Sequence, residues 1–166
     1  MALIALGSNL VSASGQTPAR ILHAAIAALD RDSIHVQAVS SFYETAAWPN
    51  PSDPMFVNAI CKIGMELTPV ELLNRLHEIE RQFGRERTTR NAPRTLDLDI
   101  IDCDGIVTQG PPVLPHPRLE TRGFVLIPLR DVAPDWRHPV TGRSLEELIA
   151  ALPPEARDVR RLNPSP

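Results

Sequence analysis

Lysine is almost missing from this chain. Lys62 stands alone among the 17 lysine and arginine residues. A glycine-rich loop ending in Lys-Ser or Lys-Thr is therefore excluded, and with it the P-loop route to a nucleotide. Cysteine is also scarce. Cys61 and Cys103 are the only two, and neither belongs to a metal or redox spacing. Each sits in an apolar strand pattern, where a small buried thiol is expected, and a reducing cytoplasm fits. No apolar run approaches the roughly 20 residues of a membrane span. Met1-Ala-Leu-Ile-Ala-Leu lacks the basic opening of a signal peptide. The formal net charge of -3 gives no general pull toward nucleic acid or an anionic membrane. Neither is expected as a partner.

What remains is ordinary for a globular protein: 43% apolar and 22% charged residues in 166, enough for one domain with a proper core. Positive charge is concentrated in one place. Gly84 to Ile101 reads Gly-Arg-Glu-Arg-Thr-Thr-Arg-Asn-Ala-Pro-Arg-Thr-Leu-Asp-Leu-Asp-Ile-Ile. Arg85, Arg87, Arg90 and Arg94 run straight into Asp97 and Asp99. Leu96, Leu98, Ile100 and Ile101 give the end of the segment a strand composition. Residues i and i+2 of a strand share a face, so the two aspartates project together, roughly 7 Å apart at Cα. Carboxylates so spaced can hold one or two Mg²⁺ ions, and arginines supply planar donors for phosphate. The pattern points to phosphoryl chemistry on a nucleotide. An isolated Asp-Leu-Asp is as readily the solvated face of a sheet; the arginines beside it shift the balance.

Ala2 to Leu6 reads as a buried strand ended by Gly7-Ser8-Asn9. Thr17-Pro18 opens a helix, with threonine as N-cap and proline at N1. Ile21, Leu22, Ala25, Ile26 and Leu29 form its apolar face. Ile34 to Val39 alternates as a strand. Ala46 to Pro54 is a proline-rich loop, in keeping with 17 prolines overall. Met55 to Leu67 reads as a long strand with Val57, Ala59, Cys61, Ile63 and Met65 on a core face. Phe56, Asn58, Ile60 and Lys62 share the other; an aromatic beside an amide suits a flat heterocycle and equally a half-exposed strand face. Thr68-Pro-Val-Glu71 is a capping box for a helix with apolar Leu72, Leu73, Leu76, Ile79 and Phe83, closed by Gly84. His77 and Glu80 share one face of it, as an exposed polar pair would. Asp104-Gly105 is a turn signal. Pro111 to Pro117 is a rigid loop carrying His116. Arg122 to Leu129 fits helix or strand, and Pro128 argues against an internal strand. Ser144-Leu-Glu-Glu147 opens a last helix. Residues 153–166 read as a loose tail on a single domain spanning 1–166. Strands and helices mix without strict alternation, which points to an α+β fold with a mixed or antiparallel sheet.

These residues give the chain a resemblance to the 6-hydroxymethyl-7,8-dihydropterin pyrophosphokinase family. It runs nearly end to end through Gly7-Ser-Asn-Leu, Ser41-Phe-Tyr-Glu-Thr, Phe56-Val-Asn, Ile79 to Arg87, Ala92-Pro-Arg-Thr-Leu-Asp-Leu-Asp-Ile, Pro115-His and Arg122-Gly-Phe. The resemblance implies a ferredoxin-like core with helices on both faces of the sheet, a three-layer αβα arrangement. It implies transfer of pyrophosphate from ATP to the pterin hydroxymethyl group in folate biosynthesis, with AMP released. Asp97 and Asp99 would hold two Mg²⁺ ions, and Arg85 and Arg94 would stabilise charge on the transferred group. His77, Glu80, Arg87, Ile100, His116 and Arg122 would bind ATP. Thr45, Ala46, Trp48, Phe56, Asn58 and Phe124 would bind the pterin. The expected partners are these two small molecules, and a monomer is expected.

Four positions depart from the family's familiar form. Asn91 stands where a tryptophan closes over the site. Pro111-Pro112 falls near the place of an ATP-side arginine. His77 replaces a glutamine, and Pro117 replaces a tyrosine after the histidine. Two other readings keep these facts: a module that binds nucleotide or pterin without turnover, and a Gly-Ser plus Asp-x-Asp nucleotidyltransferase. The retained acids and arginines oppose the first. The ninety or so residues between Gly7-Ser8 and Asp97 oppose the second.

Overall fold

One strand, apolar on both of its faces, organises the molecule. In the computed structural model, which describes residues 1–48, 50–85 and 93–163, β4 (Phe56–Met65) lies at the centre of an antiparallel sheet. Val57, Ala59, Cys61 and Ile63 face one core, and Ile60 faces a second. The alternation along a strand sends successive side chains to opposite faces, so two layers of helix are needed to cover it.

The elements before and after β4 supply them. β1 (Ala2–Ser8), α1 (Pro18–Leu29) and β2 (Ile34–Val39) precede it; β3 (Tyr43–Thr45) lies between; α2 (Pro69–Gln82) and β5 (Asp97–Cys103) follow. β5 pairs with β1, β1 with β4, and β4 with β2. That order, with one helix in each crossover, is the ferredoxin-like βαββαβ arrangement. Ile21, Leu22, Ala25 and Leu29 of α1 and Leu72, Leu76 and Ile79 of α2 fill the first core. The undecided run after Arg122 is helix α3 (Gly123–Val132), which with α4 (Leu145–Ala151) covers the opposite face through Val125, Leu126, Leu129, Leu145 and Leu148. Pro128 lies inside α3, where its ring removes the hydrogen bond to the Phe124 carbonyl. Every strand pair is antiparallel, which resolves the mixed-or-antiparallel expectation.

Local signals behave as their chemistry requires. Both capping boxes form, at Thr68–Glu71 and Ser144–Glu147. Thr17 holds the N-cap position of α1 ahead of Pro18, but its side chain makes no cap hydrogen bond. Asp104 and Gly105 both have positive φ, at 49° and 70°, as a two-residue hairpin turn demands. Both cysteines are buried, and burial pushes the Cys61 thiol up to about 12.

The tail departs from the loose segment expected after Pro153. Pro154–Arg157 forms a 3-10 turn, and Arg160–Arg161 forms β6, paired with β3. Arg160 pairs with Glu44, and the Leu162 N–H donates to the Phe42 carbonyl at 2.8 Å. The turn rests on Gly123, where a Cβ would stand 1.6 Å from the Ala156 carbonyl oxygen. Only glycine lets the two backbones approach so closely.

Candidate active site

Two rows of residues across β4, β1 and β5 define the site, and the strand register sets them. Gly7 of β1 pairs with Asn58 on one side and Asp97 on the other. Ala5 pairs with Ile60 and Asp99 in the same way. Asp97 and Asp99 therefore stand together on edge strand β5, as the sequence predicts, while Leu98 between them turns into the first core.

Each aspartate has its own cations. Asp97 meets Arg85 Nη1 at 2.5 Å and Arg94 Nη1 at 3.2 Å. Asp99 meets Arg122 Nη1 at 3.0 Å and His116 Nε2 at 3.7 Å. The carboxylates keep 25% and 36% of their side-chain surface exposed, so a ligand can reach them. Burial lowers the His116 pKa, Arg122 adds to that, and Asp99 opposes it. Its Nδ1 accepts the Arg118 N–H at 3.1 Å, and its Nε2 lies 3.3 Å from Arg122 Nη1 and 3.7 Å from Asp99.

Glu80 is 2% exposed. It pairs with Arg85 and accepts the Leu98 N–H at 2.9 Å. The sequence reading of an exposed polar pair with His77 is therefore corrected for Glu80: the carboxylate spans from α2 to β5. Glu80, His77, Ile100, His116, Arg85 and both aspartates line one cavity of about 310 Å³ along the sheet edge, with Pro112, Val113 and Leu73 completing its wall. A larger hollow of about 710 Å³ lies along Asn74, Glu78 and Arg81 and shares His77, Glu80 and Arg85. It contains neither aspartate; both line the smaller one.

Over the middle of the sheet, the Asn58 amide donates to Thr45 Oγ1 at 3.0 Å, both side chains being buried. Phe56 lies under the Arg94 guanidinium at 5.7 Å, and Phe124 under Arg122 at 5.4 Å. Each phenyl ring thus touches the arginine group of an aspartate. Ala46 and Trp48 follow Thr45 on the same loop, both exposed, Trp48 at 74%. Arg87, with Arg90 and Asn91, lies outside the described residues.

Sequence reasoning missed Asn9. Only 3% exposed, it accepts the Arg94 N–H through Oδ1 at 2.8 Å, donates its own N–H to the Arg94 carbonyl at 3.2 Å, and donates Nδ2 to the Pro54 carbonyl at 3.1 Å. It ties the loop of Arg94 to the proline-rich loop. The signal was its place in Gly7-Ser-Asn-Leu, directly after a buried strand.

An antiparallel α+β sheet with paired acids and converging arginines at its edge is the layout of a nucleotide-dependent transferase that works without a P-loop. The comparisons with known proteins narrow that class. Residues 3–134 match the family model of 7,8-dihydro-6-hydroxymethylpterin-pyrophosphokinase. The 2-amino-4-hydroxy-6-hydroxymethyldihydropteridine pyrophosphokinase of Pseudomonas aeruginosa is 40% identical over 152 residues, covering 90% of each chain. That of Synechocystis is 37% identical over 149 residues, covering 89% of this chain and 74% of its own. A solved structure of wild-type HPPK-DHPS from Plasmodium falciparum superposes with a TM-score of 0.68 at 13% identity, over 90% of this chain and 42% of that one; at that identity it speaks for the fold alone. The chain belongs to the 7,8-dihydro-6-hydroxymethylpterin-pyrophosphokinase family.

Proposed function

We propose that this chain transfers the pyrophosphoryl group of ATP to the hydroxymethyl oxygen of 6-hydroxymethyl-7,8-dihydropterin and releases AMP, a step of folate biosynthesis. The observation that carries the reading is the row Asn58–Gly7–Asp97. It sets an amide suited to a heterocycle two strand spacings from a carboxylate suited to a phosphate-bound cation.

Asp97 and Asp99 would hold Mg²⁺. Among the described residues, no group of three or more His, Cys, Asp or Glu side chains is placed to hold a metal ion by itself. Two exposed carboxylates without a closed cage are what Mg²⁺ takes when substrate phosphates and water complete its octahedron; the donor set fits, and two ions remain our expectation. Bound there, the metal neutralises phosphate charge and makes a nearby hydroxyl easier to deprotonate.

The protein's own groups do the rest. Arg85, Arg94 and Arg122 are held at the two aspartates by ion pairs. A cation bound by the carboxylates would leave the guanidinium forks of these arginines available to phosphate oxygens. They meet charge that grows on the transferred group, with little reorganisation. His116 and His77 line the same cavity and would contact the nucleotide, and Ile100 would pack on the base. Glu80 lines it too but works chiefly through Arg85. Arg87 joins the ATP contacts by resemblance alone.

On the acceptor side Asn58 Oδ1 faces the space above Gly7 and would accept an N–H of the pterin ring. Thr45 fixes that amide, and the backbone of Ala46 and Trp48 would complete the ring's edge. Phe56 and Phe124 would lie against its faces. A monomer remains our expectation. No described helix is long and apolar enough to cross a membrane.

The test is to incubate the purified protein with ATP, Mg²⁺ and 6-hydroxymethyl-7,8-dihydropterin and to separate the products. The account predicts AMP and a pterin diphosphate in equal amounts, with no ATP consumed when pterin is left out. Pterin binding without product would support the non-catalytic module instead.

A further inference from the structure

The two cationic partners of Asp99, His116 and Arg122, belong to one short unit of chain. Hydrogen bonds from each residue to the third before it run along this unit. The Leu119 N–H donates to the His116 carbonyl at 3.0 Å, the Thr121 N–H to that of Arg118 at 3.4 Å and the Arg122 N–H to that of Leu119 at 3.1 Å. The 3-10 turn Leu119–Thr121 lies at its centre. The His116 N–H donates to the Ile101 carbonyl of β5 at 2.9 Å, and Leu119 is seated in the second core. A single 3-10 turn has poor hydrogen-bond geometry, and an arginine side chain carries much rotamer freedom. Whatever else holds the turn therefore decides where the Arg122 guanidinium arrives.

Glu120, in the middle of the turn, is held by a hairpin from beyond α3. Its carboxylate lies 3.6 Å from His138 Nε2 and 3.8 Å from Arg143 Nη1. His138 is 8% exposed, and its Nδ1 accepts the N–H groups of Val140 and Thr141 at 3.2 and 3.3 Å. The His138 N–H donates to the Arg143 carbonyl at 2.9 Å, and the Gly142 N–H to the His138 carbonyl at 2.8 Å. Arg137 and Ser144 are bridged beside them. The same hairpin reaches β5, where Trp136 Nε1 donates to Asp102 Oδ2 at 3.0 Å. One loop thus grips both segments that converge on the site: β5 with Asp99, and the turn that leads into Arg122. The core does not call for an acid at position 120, whose side chain keeps 40% of its surface.

We infer that Glu120 is a positioning residue for the nucleotide: held by His138 and Arg143, it sets the turn Leu119–Thr121 so that the Arg122 guanidinium stands at Asp99, where it meets the phosphates. This rests on the nucleotide reading proposed above. Glu120 itself touches no substrate. Its effect passes through Arg122 and falls on the nucleotide rather than on the acceptor ring.

Glu120→Ala, Arg122→Gln and the double variant test the inference, with binding of the nucleotide analogue α,β-methylene-ATP and Mg²⁺ measured by calorimetry. Glu120→Ala should weaken the Mg²⁺–nucleotide analogue by about fivefold in the parent. In the Arg122→Gln background it should weaken it by less than about twofold, since residues that act through one another do not add. His138→Gln, which cuts the same tie from its other end, should bring a similar loss. Val140→Ala, at an exposed position of the same hairpin, should bind like the parent. Affinity for 6-hydroxymethyl-7,8-dihydropterin, measured with the analogue bound, should stay within about threefold for Glu120→Ala. An equal loss of nucleotide affinity in both backgrounds would overturn the inference, because Glu120 would then support the fold and not Arg122. So would Glu120→Ala binding the analogue within about twofold of the parent. A parent protein that binds no nucleotide would remove the functional reading first.

Discussion

The Glu80 carboxylate accepts the backbone N–H of Leu98 at 2.9 Å, 18 residues away in sequence, and the same oxygen receives Arg85. The bond fixes the residue between Asp97 and Asp99 to the helix behind them. It makes the separation and facing of Asp97 and Asp99 a property of two elements, not of an edge strand alone.

Replacing Glu80 should separate its two functions. Glu80→Ala leaves a buried N–H and a cation short of a partner, at about 2–4 kcal/mol of folding stability. Glu80→Gln keeps an acceptor for Leu98 and should cost less than half of that. Denaturant unfolding of both variants reads the difference; equal stability of the two would mean that Arg85, not Leu98, is the partner that matters.

Asp97→Asn should cut turnover by about a thousandfold or more, since a carboxylate at the transfer site is lost. It should also remove the ion pairs of Arg85 and Arg94 with Asp97, leaving Arg85 paired with Glu80. ATP binding in the absence of divalent cation should therefore tighten, by roughly fivefold or about 1 kcal/mol. Calorimetry with a chelator present checks this. Weaker metal-free binding would show that the arginines are not held in reserve by the aspartate.

Asn58→Ala should weaken pterin binding by about tenfold to a hundredfold, or 1–3 kcal/mol, and leave the affinity for the Mg²⁺–nucleotide analogue nearly unchanged. Equal weakening of both ligands would remove Asn58 as the group that reads the ring.

Tyr43 carries the pH dependence of the acceptor side. Its hydroxyl donates to Asp131 at 3.1 Å, and the Ser41 N–H donates to the same carboxylate at 2.9 Å. Together they hold β3, and with it Thr45. Burial raises the Tyr43 pKa above 10, with the Asp131 hydrogen bond and charge adding to it. A raised pKa means stability fully present below pH 10 and lost as pH rises through the folded value. Tyr43→Phe should cost about 1 kcal/mol at pH 7, and the gap to the parent should shrink above about pH 10. A gap that does not change with pH would show that Tyr43 does not titrate with folding.

How far the sequence reaches is clear from these residues. Asp97 and Asp99 were legible because a strand period of two needs no partner to be seen, and both capping boxes because their bonds span three residues. The face shared by Phe56 and Asn58 was legible as a pattern, but not that β1 sets Asn58 in one row with Asp97 of β5. Glu80 was misread because its partner is on another element; i and i+3 spacing shows a helix face and not what covers it. Asn9 was invisible for the same reason, with one partner 85 residues away and another 45. The helix at Gly123 was ambiguous because it is apolar nearly all round and Pro128 could be placed in its first turns. The pairing of Arg160–Arg161 with β3 was not legible because the partner strand lies far away in sequence.

Phosphorus NMR of one reaction mixture containing ATP, Mg²⁺ and 6-hydroxymethyl-7,8-dihydropterin tests the central claim most directly. The account predicts that the ATP signals are replaced by the single resonance of AMP and the coupled pair of a diphosphate ester, with no ADP formed. ADP with a pterin monophosphate, or AMP joined to the acceptor with free pyrophosphate, would contradict it.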